Sequence, residues 1–83
     1  MKKDALIGKF YHTFQDGVLE QQGEILSCVA PGLYLVQTFE WLFGSPFDQR
    51  IEPVSNMVGW TLYSDHEDMQ RAWERYNRQR RGQ

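Results

Sequence analysis

The chain has 83 residues, which is room for one small domain over residues 1–83. Hydrophobic residues make up 41% and aromatic residues 14%, a composition that excludes disorder, and the net charge of −2 excludes a strongly basic nucleic-acid-binding protein by bulk charge. One cysteine, Cys28, excludes an internal disulfide framework, and no apolar run approaches the roughly 20 residues of a membrane span. We therefore expect a cytoplasmic protein.

Turn-forming residues interrupt the first 60 positions at short intervals, which predicts a mainly β fold of about five short antiparallel strands. The Asp16-Gly17 pair predicts a hairpin turn, and Gly23 predicts a bulge or a bend within the second strand. The third strand is almost continuously apolar, so we expect it to be buried on both faces. The predicted strands cover residues 9–14, 18–29, 33–39, 49–54 and 58–63.

The sequence leaves the structure of one segment open and predicts which side chains of the last strand share a face. Residues 40–43 either continue the third strand or begin a loop. In the last strand, alternation predicts that Val58, Trp60 and Leu62 share one face.

The pattern changes from strand to helix at residue 64. Ser64 and Glu67 have the spacing of a capping box, and the helix is predicted over about residues 65–79. An apolar stripe is expected to pack across an open end of the β structure, and the alternative is a partner-binding or homodimer face. Whether the protein is a monomer or a weak homodimer stays open. The stripe comprises Met69, Ala72, Trp73 and Tyr76.

The order of these elements resembles the small SH3-like barrels, including Tudor-like modules. The segments that carry the resemblance are a bent strand at residues 23–25, a turn and strand at residues 31–36 and a closing strand at residues 60–63. The chain is also similar to small uncharacterised bacterial or prophage proteins of this shape. The resemblance implies an SH3-like barrel over about residues 8–63, a C-terminal helix, and a binding module without catalytic activity.

Charge is unevenly distributed along the chain. Residues 10–70 hold nine acidic residues and one arginine, for a net charge of −8, whereas residues 71–83 carry +4. An acidic surface attracts cationic partners and repels nucleic acid. We therefore expect a protein or peptide partner of basic character, although an acidic surface also serves solubility alone.

An aromatic set surrounds the best candidate for a binding site, because aromatic rings and carboxylates together hold cationic side chains. The alternative is that these rings form the core of a small domain. The candidate residues are Tyr34, Phe39, Glu40, Trp41, Phe43, Trp60 and Tyr63.

Two alternative functions remain. An arginine-rich helix end could contact nucleic acid, in which case the protein is nucleic-acid-associated. Otherwise the acidic surface could mimic nucleic-acid charge in a modulator from a mobile element. The basic patch consists of Arg71, Arg75, Arg78, Arg80 and Arg81.

Residue patterns typical of enzymes and metal sites are sparse. His12 and Cys28 could pair as base and nucleophile, and residues 65–68 contain metal-ligand types. No nucleotide-binding loop, zinc motif or nucleophile elbow accompanies them. We therefore expect no enzymatic activity, no cofactor and no metal.

Overall fold

The computed structural model describes residues 5–41 and 44–81 and has one antiparallel sheet and a C-terminal helix. The sheet has the strand order β4-β3-β2-β1-β5. A mainly β fold of five strands with a C-terminal helix is thereby confirmed. Within the described residues the sheet is not closed, so the predicted barrel is not confirmed. The elements are β1 (Phe10–Gln15), β2 (Val18–Ala30), β3 (Leu33–Phe39), β4 (Pro46–Pro53), a 3₁₀ helix (Val54–Met57), β5 (Thr61–Tyr63) and α1 (His66–Arg81).

Two turns fix the register of the first three strands. Asp16 and Gly17 have φ values of 53° and 78°, and positive φ at both central residues suits the twist of a two-residue hairpin. Gly32 follows Pro31 with φ of 75°, as the second central position of a type II turn requires.

Gly23 permits close packing between β2 and its neighbours. A Cβ atom at this position would overlap the carbonyl oxygen of Gln37 and lie 2.6 Å from Tyr11 Oη. The register shifts of β2 lie elsewhere, at residues 20, 26 and 29, so β2 has no bulge at Gly23. Its role is to let the Tyr11 ring lie against the backbone.

One face of the sheet, here called the inner face, carries the hydrophobic core. Trp60 packs against this core by stacking on Tyr11 with ring centroids 4.2 Å apart. Residues that are buried together there come from three strands and the 3₁₀ helix, and they are Tyr11, Ile25, Tyr34, Val36 and Met57.

The opposite, outer face is covered by α1 where the helix packs on β1 and β5. Met69 is 1% exposed, and the Leu19 backbone N–H donates to Tyr76 Oη at 3.0 Å. The Phe14 ring lies 6.2 Å from that of Tyr76. The helix stripe therefore lies along the outer face of the sheet and not across its open end.

Three local predictions differ from the structure. In β3, Tyr34, Val36 and Thr38 are buried but their neighbours are not, because α1 covers β1 and β5 instead of β3. Val58 is 89% exposed and lies outside β5, since the Trp60 N–H donates to the Met57 carbonyl in a turn.

The helix cap also differs from the predicted one. The helix begins one residue later, because Asp65 Oδ1 accepts the Asp68 N–H at 2.9 Å and so caps α1 in place of Ser64.

Candidate functional site: an acidic aromatic pocket

A pocket of about 340 Å³ lies where the end of β3 meets the start of β4 and the first half of β2. Three aromatic rings line it, from Phe39, Trp41 and Phe47, and so do the carboxylate-bearing residues Glu20 and Glu40. Phe47 is 69% exposed and Trp41 is 37% exposed, so the rings remain open to a ligand. We call this site the acidic aromatic pocket.

The backbone of Glu40 anchors the loop that holds Trp41. The Glu40 N–H donates to the Ser45 carbonyl at 2.9 Å, and the Gly44 N–H donates back to the Glu40 carbonyl at 3.1 Å. That carbonyl also accepts from Gln22 Nε2 at 2.9 Å. The loop is therefore tied to itself and to β2, which leaves the exposed Glu40 side chain available to a ligand.

Thr38 and Asp48 connect β3 to β4 beside the pocket and so place the intervening Phe47. The Thr38 hydroxyl bonds the Asp48 carboxylate, and the Asp48 N–H donates to Thr38 Oγ1 at 3.1 Å. The bond from Thr38, with a smaller contribution from Arg50, lowers the pKa of the Asp48 carboxyl. Asp48 therefore stays ionised and is already engaged by residues of the chain.

The electrostatic balance of the pocket favours a cation. Arg50 also lines the pocket, but its Nε donates to Asp48 Oδ2 at 3.3 Å. Glu20 and Glu40 form no ion pair with any of the residues that the structure describes. A ligand that enters the pocket thus meets two carboxylates that are not held in an ion pair by the described residues.

The pocket brings together three of the residues that the sequence singled out. Phe39, Glu40 and Trp41 all line it. The strand ends at Phe39, so residue 40 begins a loop, which was one of the two alternatives. Phe43 lies outside the described residues.

The other three aromatic candidates lie elsewhere. Tyr34 is buried in the inner core and does not line the pocket. Trp60 stacks on Tyr11, and Tyr63 Oη bonds His12 Nδ1 at 2.8 Å on the outer face. The physical reason is strand alternation, which sends neighbouring aromatic rings to opposite faces of the sheet.

Sequence reasoning missed Phe47, Glu20 and Arg50. The predicted fourth strand covers residues 49–54 and leaves Phe47 outside it, whereas β4 begins at Pro46. The available signal was a phenylalanine directly after Gly-Ser-Pro and before an acidic residue. The sequence does not predict that Glu20 lines the pocket, because its position depends on a register shift between β1 and β2.

The predicted basic patch is partly neutralised. Arg71 Nη2 donates to Asp68 Oδ1 at 2.6 Å, and Arg71 Nη1 lies 3.9 Å from Glu67 Oε2. Arg80 lies over the Tyr76 ring, 5.7 Å from its centroid. Arg75 and Arg78 are exposed on the helix surface, and the side chain of Arg81 lies outside the described part of the chain.

The helix-interface candidates also divide. Met69 is buried against the sheet, and the Tyr76 hydroxyl is bonded to β2. Trp73 is half-buried and lines a shallow surface pocket.

The structure does not bring His12 and Cys28 together. His12 pairs with Gln22 of β2, and Cys28 lies six residues further along that strand, which is a distance of about 20 Å.

Three further findings bear on function. In residues 5–41 and 44–81, no group of three histidine, cysteine or acidic side chains is placed to hold a metal ion. In the same residues, no helix has the length and apolar character needed to cross a membrane. No protein-family model, curated protein or solved structure matches this chain. We therefore infer function from the geometry of the pocket.

Proposed function

We propose that this protein is a non-catalytic interaction module that binds a basic peptide or protein segment. A lysine or arginine side chain of the partner enters the acidic aromatic pocket. The observation that carries the proposal is the convergence of three aromatic rings, Phe39, Trp41 and Phe47, with two unpaired carboxylates around one pocket.

The chemistry of the pocket suits an alkyl chain that ends in a positive charge. Each ring contributes about 0.5–2 kcal/mol when a cation lies over its face, with the larger values where water is excluded. The methylene groups of the same side chain pack on the exposed surfaces of Trp41 and Phe47. The carboxylates of Glu20 and Glu40 add long-range attraction, which raises the association rate.

We further propose that the open sheet is a partly opened SH3-like barrel. Thr13 of β1 and Glu52 of β4 line one pocket although two strands separate them in the sheet. Across a flat sheet this separation would be about 14 Å, since neighbouring strands are about 4.8 Å apart. A strongly curled sheet explains the shared pocket and supports the resemblance to these binding modules.

Peptide titration followed by amide chemical shifts tests the binding function. The probe is a capped pentapeptide with one central lysine among glycines, compared with the same peptide carrying acetyl-lysine. We expect shifts at Phe39, Trp41 and Phe47 with the lysine peptide only. Equal shifts with both peptides, or none around the pocket, would contradict the proposal.

Matched variants locate the binding energy. Trp41→Ala should weaken lysine-peptide binding about tenfold, because it removes the larger exposed ring beside Glu40. The double variant Glu20→Gln and Glu40→Gln should weaken binding and remove most of its salt dependence. Glu74→Gln, an exposed helix acid, is the control and should bind like the wild type.

Exposed arginines support one alternative partner, nucleic acid on the helix. Arg75 and Arg78 are exposed and three residues apart, but Arg71 is held by Asp68, which lowers the free positive charge. A gel-shift titration across salt separates the two functions, because phosphate contacts weaken steeply as salt rises. Mimicry of nucleic-acid charge differs again, because it depends on carboxylates and should survive Trp41→Ala.

A further inference from the structure

The strand β4 has an open side. In the described part of the chain, β4 pairs only with β3, so it forms one edge of the sheet. Three consecutive residues, Gln49, Arg50 and Ile51, are exposed, although consecutive side chains of a strand point to opposite faces. Both faces of this segment are therefore accessible to a neighbouring strand.

The backbone groups on the open side belong to Gln49 and Ile51. The Asp48 N–H donates to the Thr38 hydroxyl, so it points toward β3. The Val54 N–H also points toward β3, because it donates to the turn before that strand at 2.8 Å. Since backbone groups alternate sides along a strand, the N–H and C=O groups of residues 49 and 51 point away from β3. A strand placed beside β4 can bond them.

The side chains of β4 complement a second copy of the same strand. In an antiparallel pair with Ile51 opposite its own counterpart, Arg50 lies opposite Glu52 on the inner face, twice by symmetry. Opposite charges directly across an antiparallel pair stabilise it. On the outer face the two Ile51 side chains meet, and each already pairs with Leu35 of its own β3. The pairing thus joins exposed apolar groups into one row.

Two of the neighbouring registers bring like charges together. A symmetric antiparallel pair is centred on one residue, because side chains that lie opposite each other share a face. Centring the pair on Arg50 places two arginines opposite each other, and also Asp48 opposite Glu52. Centring it on Glu52 places two carboxylates opposite each other. Like charges in these positions destabilise the pair.

The register centred on Gln49 requires Phe47 in the ladder of hydrogen bonds. The pairing of β4 with β3 shifts between Gln37 and Phe39, so the backbone of β4 is irregular at this point. From residue 49 to residue 53 the pairing with β3 is regular. The register centred on Ile51 therefore combines a regular backbone with opposite charges.

The length of the regular segment limits the association. Pro53 has no N–H, so the pairing ends there with about four backbone hydrogen bonds between the two copies. Such a small interface is typical of weak, reversible association. The other edge of the sheet, β5, has only three residues, so we expect pairs of chains and not fibres.

We propose that two copies of this chain form a weak homodimer through antiparallel pairing of β4, with Ile51 at the twofold axis. Arg50 Nε lies 3.3 Å from Asp48 of its own chain, and its remaining N–H groups can donate to Glu52 of the second copy. The proposal is independent of the binding function above, because none of the aromatic rings of the acidic aromatic pocket belongs to residues 49–53.

A concentration series of the full chain tests the association. Rotational correlation times and amide chemical shifts are measured from about 0.05 to about 2 mM, a range that suits weak interfaces. We expect the correlation time to rise with concentration while the amides of Gln49 and Ile51 shift. A constant correlation time, or shifts confined to the helix around Trp73, would overturn the proposal.

A pair of charge reversals tests the register. Arg50→Glu and Glu52→Arg each place like charges opposite each other in the homodimer, so each variant alone should associate about tenfold more weakly or less. An equimolar mixture of the two variants should associate about as tightly as the wild type, because opposite charges face each other again. Single variants that associate like the wild type, or a mixture that stays monomeric, would count against this register and so against the proposal.

Ile51→Glu separates the homodimer from the binding function. It places two carboxylates opposite each other at the twofold axis, so the variant should stay monomeric, whereas the control Ile51→Val should still associate. Ile51 does not line the acidic aromatic pocket, so the folded variant should keep lysine-peptide binding within about twofold. If Ile51→Glu associates like the wild type, the homodimer is overturned. If no variant shows peptide shifts at Trp41, the binding function alone fails.

Discussion

Tyr11 and His12 are neighbours in β1, and both are almost completely buried, yet on opposite faces of the sheet. Tyr11 faces the apolar core of the inner face, with Trp60 stacked on its ring. His12 faces a mixed layer in which Tyr63 bonds its ring and Trp41 lies 6.0 Å away. The inner face is therefore covered by the strands and the 3₁₀ helix, whereas the outer face needs α1 and the loop after β3.

This difference explains where binding surface remains. The helix packs on β1 and β5, and the inner core lies on the opposite face, over β1, β2 and β3. At β4, which is an edge of the sheet, Phe47 and Ile51 stay exposed. Because the two layers cover β1 more fully than β4, the acidic aromatic pocket beside β4 keeps exposed aromatic and acidic side chains.

Gly23→Ala should have the largest effect and should act through the inner face. The added methyl group would meet the Gln37 backbone carbonyl and the Tyr11 ring, and the backbone cannot shift without breaking the β2–β3 ladder. We expect a loss of about 3 kcal/mol or more in the free energy of unfolding. Gly59→Ala is the control, since nothing lies within 4 Å of its Cβ position. Chemical denaturation measures both, and equal stability of the two variants would contradict the close packing of Tyr11.

Met69→Ala should have the next largest effect and should act through the outer face. Met69 is the buried residue through which α1 covers β1, and its truncation leaves a cavity. We expect a loss of about 2–3 kcal/mol in the free energy of unfolding. The lysine peptide should still bind once the variant is folded, because no residue of the acidic aromatic pocket belongs to the helix. Wild-type stability would show that the helix contributes little to the sheet.

The turns could be predicted from sequence because their causes are local. Asp16-Gly17 and Pro31-Gly32 need backbone angles that these residues favour, so the first three strands follow from them. The faces of the sheet could not be predicted in the same way. An aromatic residue such as Tyr34 looks the same in sequence whether its strand register sends it to the core or to the surface.

The candidate site was predictable only where its residues are consecutive. Residues 39–41 enter the pocket together from one strand end. Phe47 and Arg50 come from β4, and Glu20 depends on a one-residue shift between β1 and β2. Sequence spacing does not predict which residues of separate strands come together, because that depends on how the strands are arranged in the sheet.

The stability of the protein should depend on pH because of His12, which is buried on the outer face. Burial lowers the pKa of His12 below its ordinary value of 6.5, with the Gln22 side chain acting in the opposite direction. Between the lowered pKa and 6.5 the unfolded chain binds the proton and the folded chain does not. Stability is therefore complete above pH 6.5 and decreases as the pH falls through 6.5 toward the folded-state value.

A His12→Gln variant tests this origin. The variant should lose the part of the pH dependence that lies just below pH 6.5, when urea unfolding is measured at several pH values. His66→Gln is the matched control, because His66 is exposed at the start of the helix. If the control removed the dependence and His12→Gln kept it, the effect would not come from the buried ring.

The smallest expected effect concerns the helix cap, and it separates two neighbouring residues. Asp65→Ala removes the oxygen that accepts the Asp68 N–H, so it should lower the free energy of unfolding by about 1 kcal/mol. Ser64→Ala should change stability by only a few tenths of a kcal/mol, because Asp65 caps the helix in its place.

Hydrogen exchange in Asp65→Ala shows which layer the cap supports. Because α1 covers only the outer face, exchange should become faster first in the helix, while the amides of Ile25 and Val36 keep their protection. An equal loss of protection on both faces would mean that the two layers unfold as one unit.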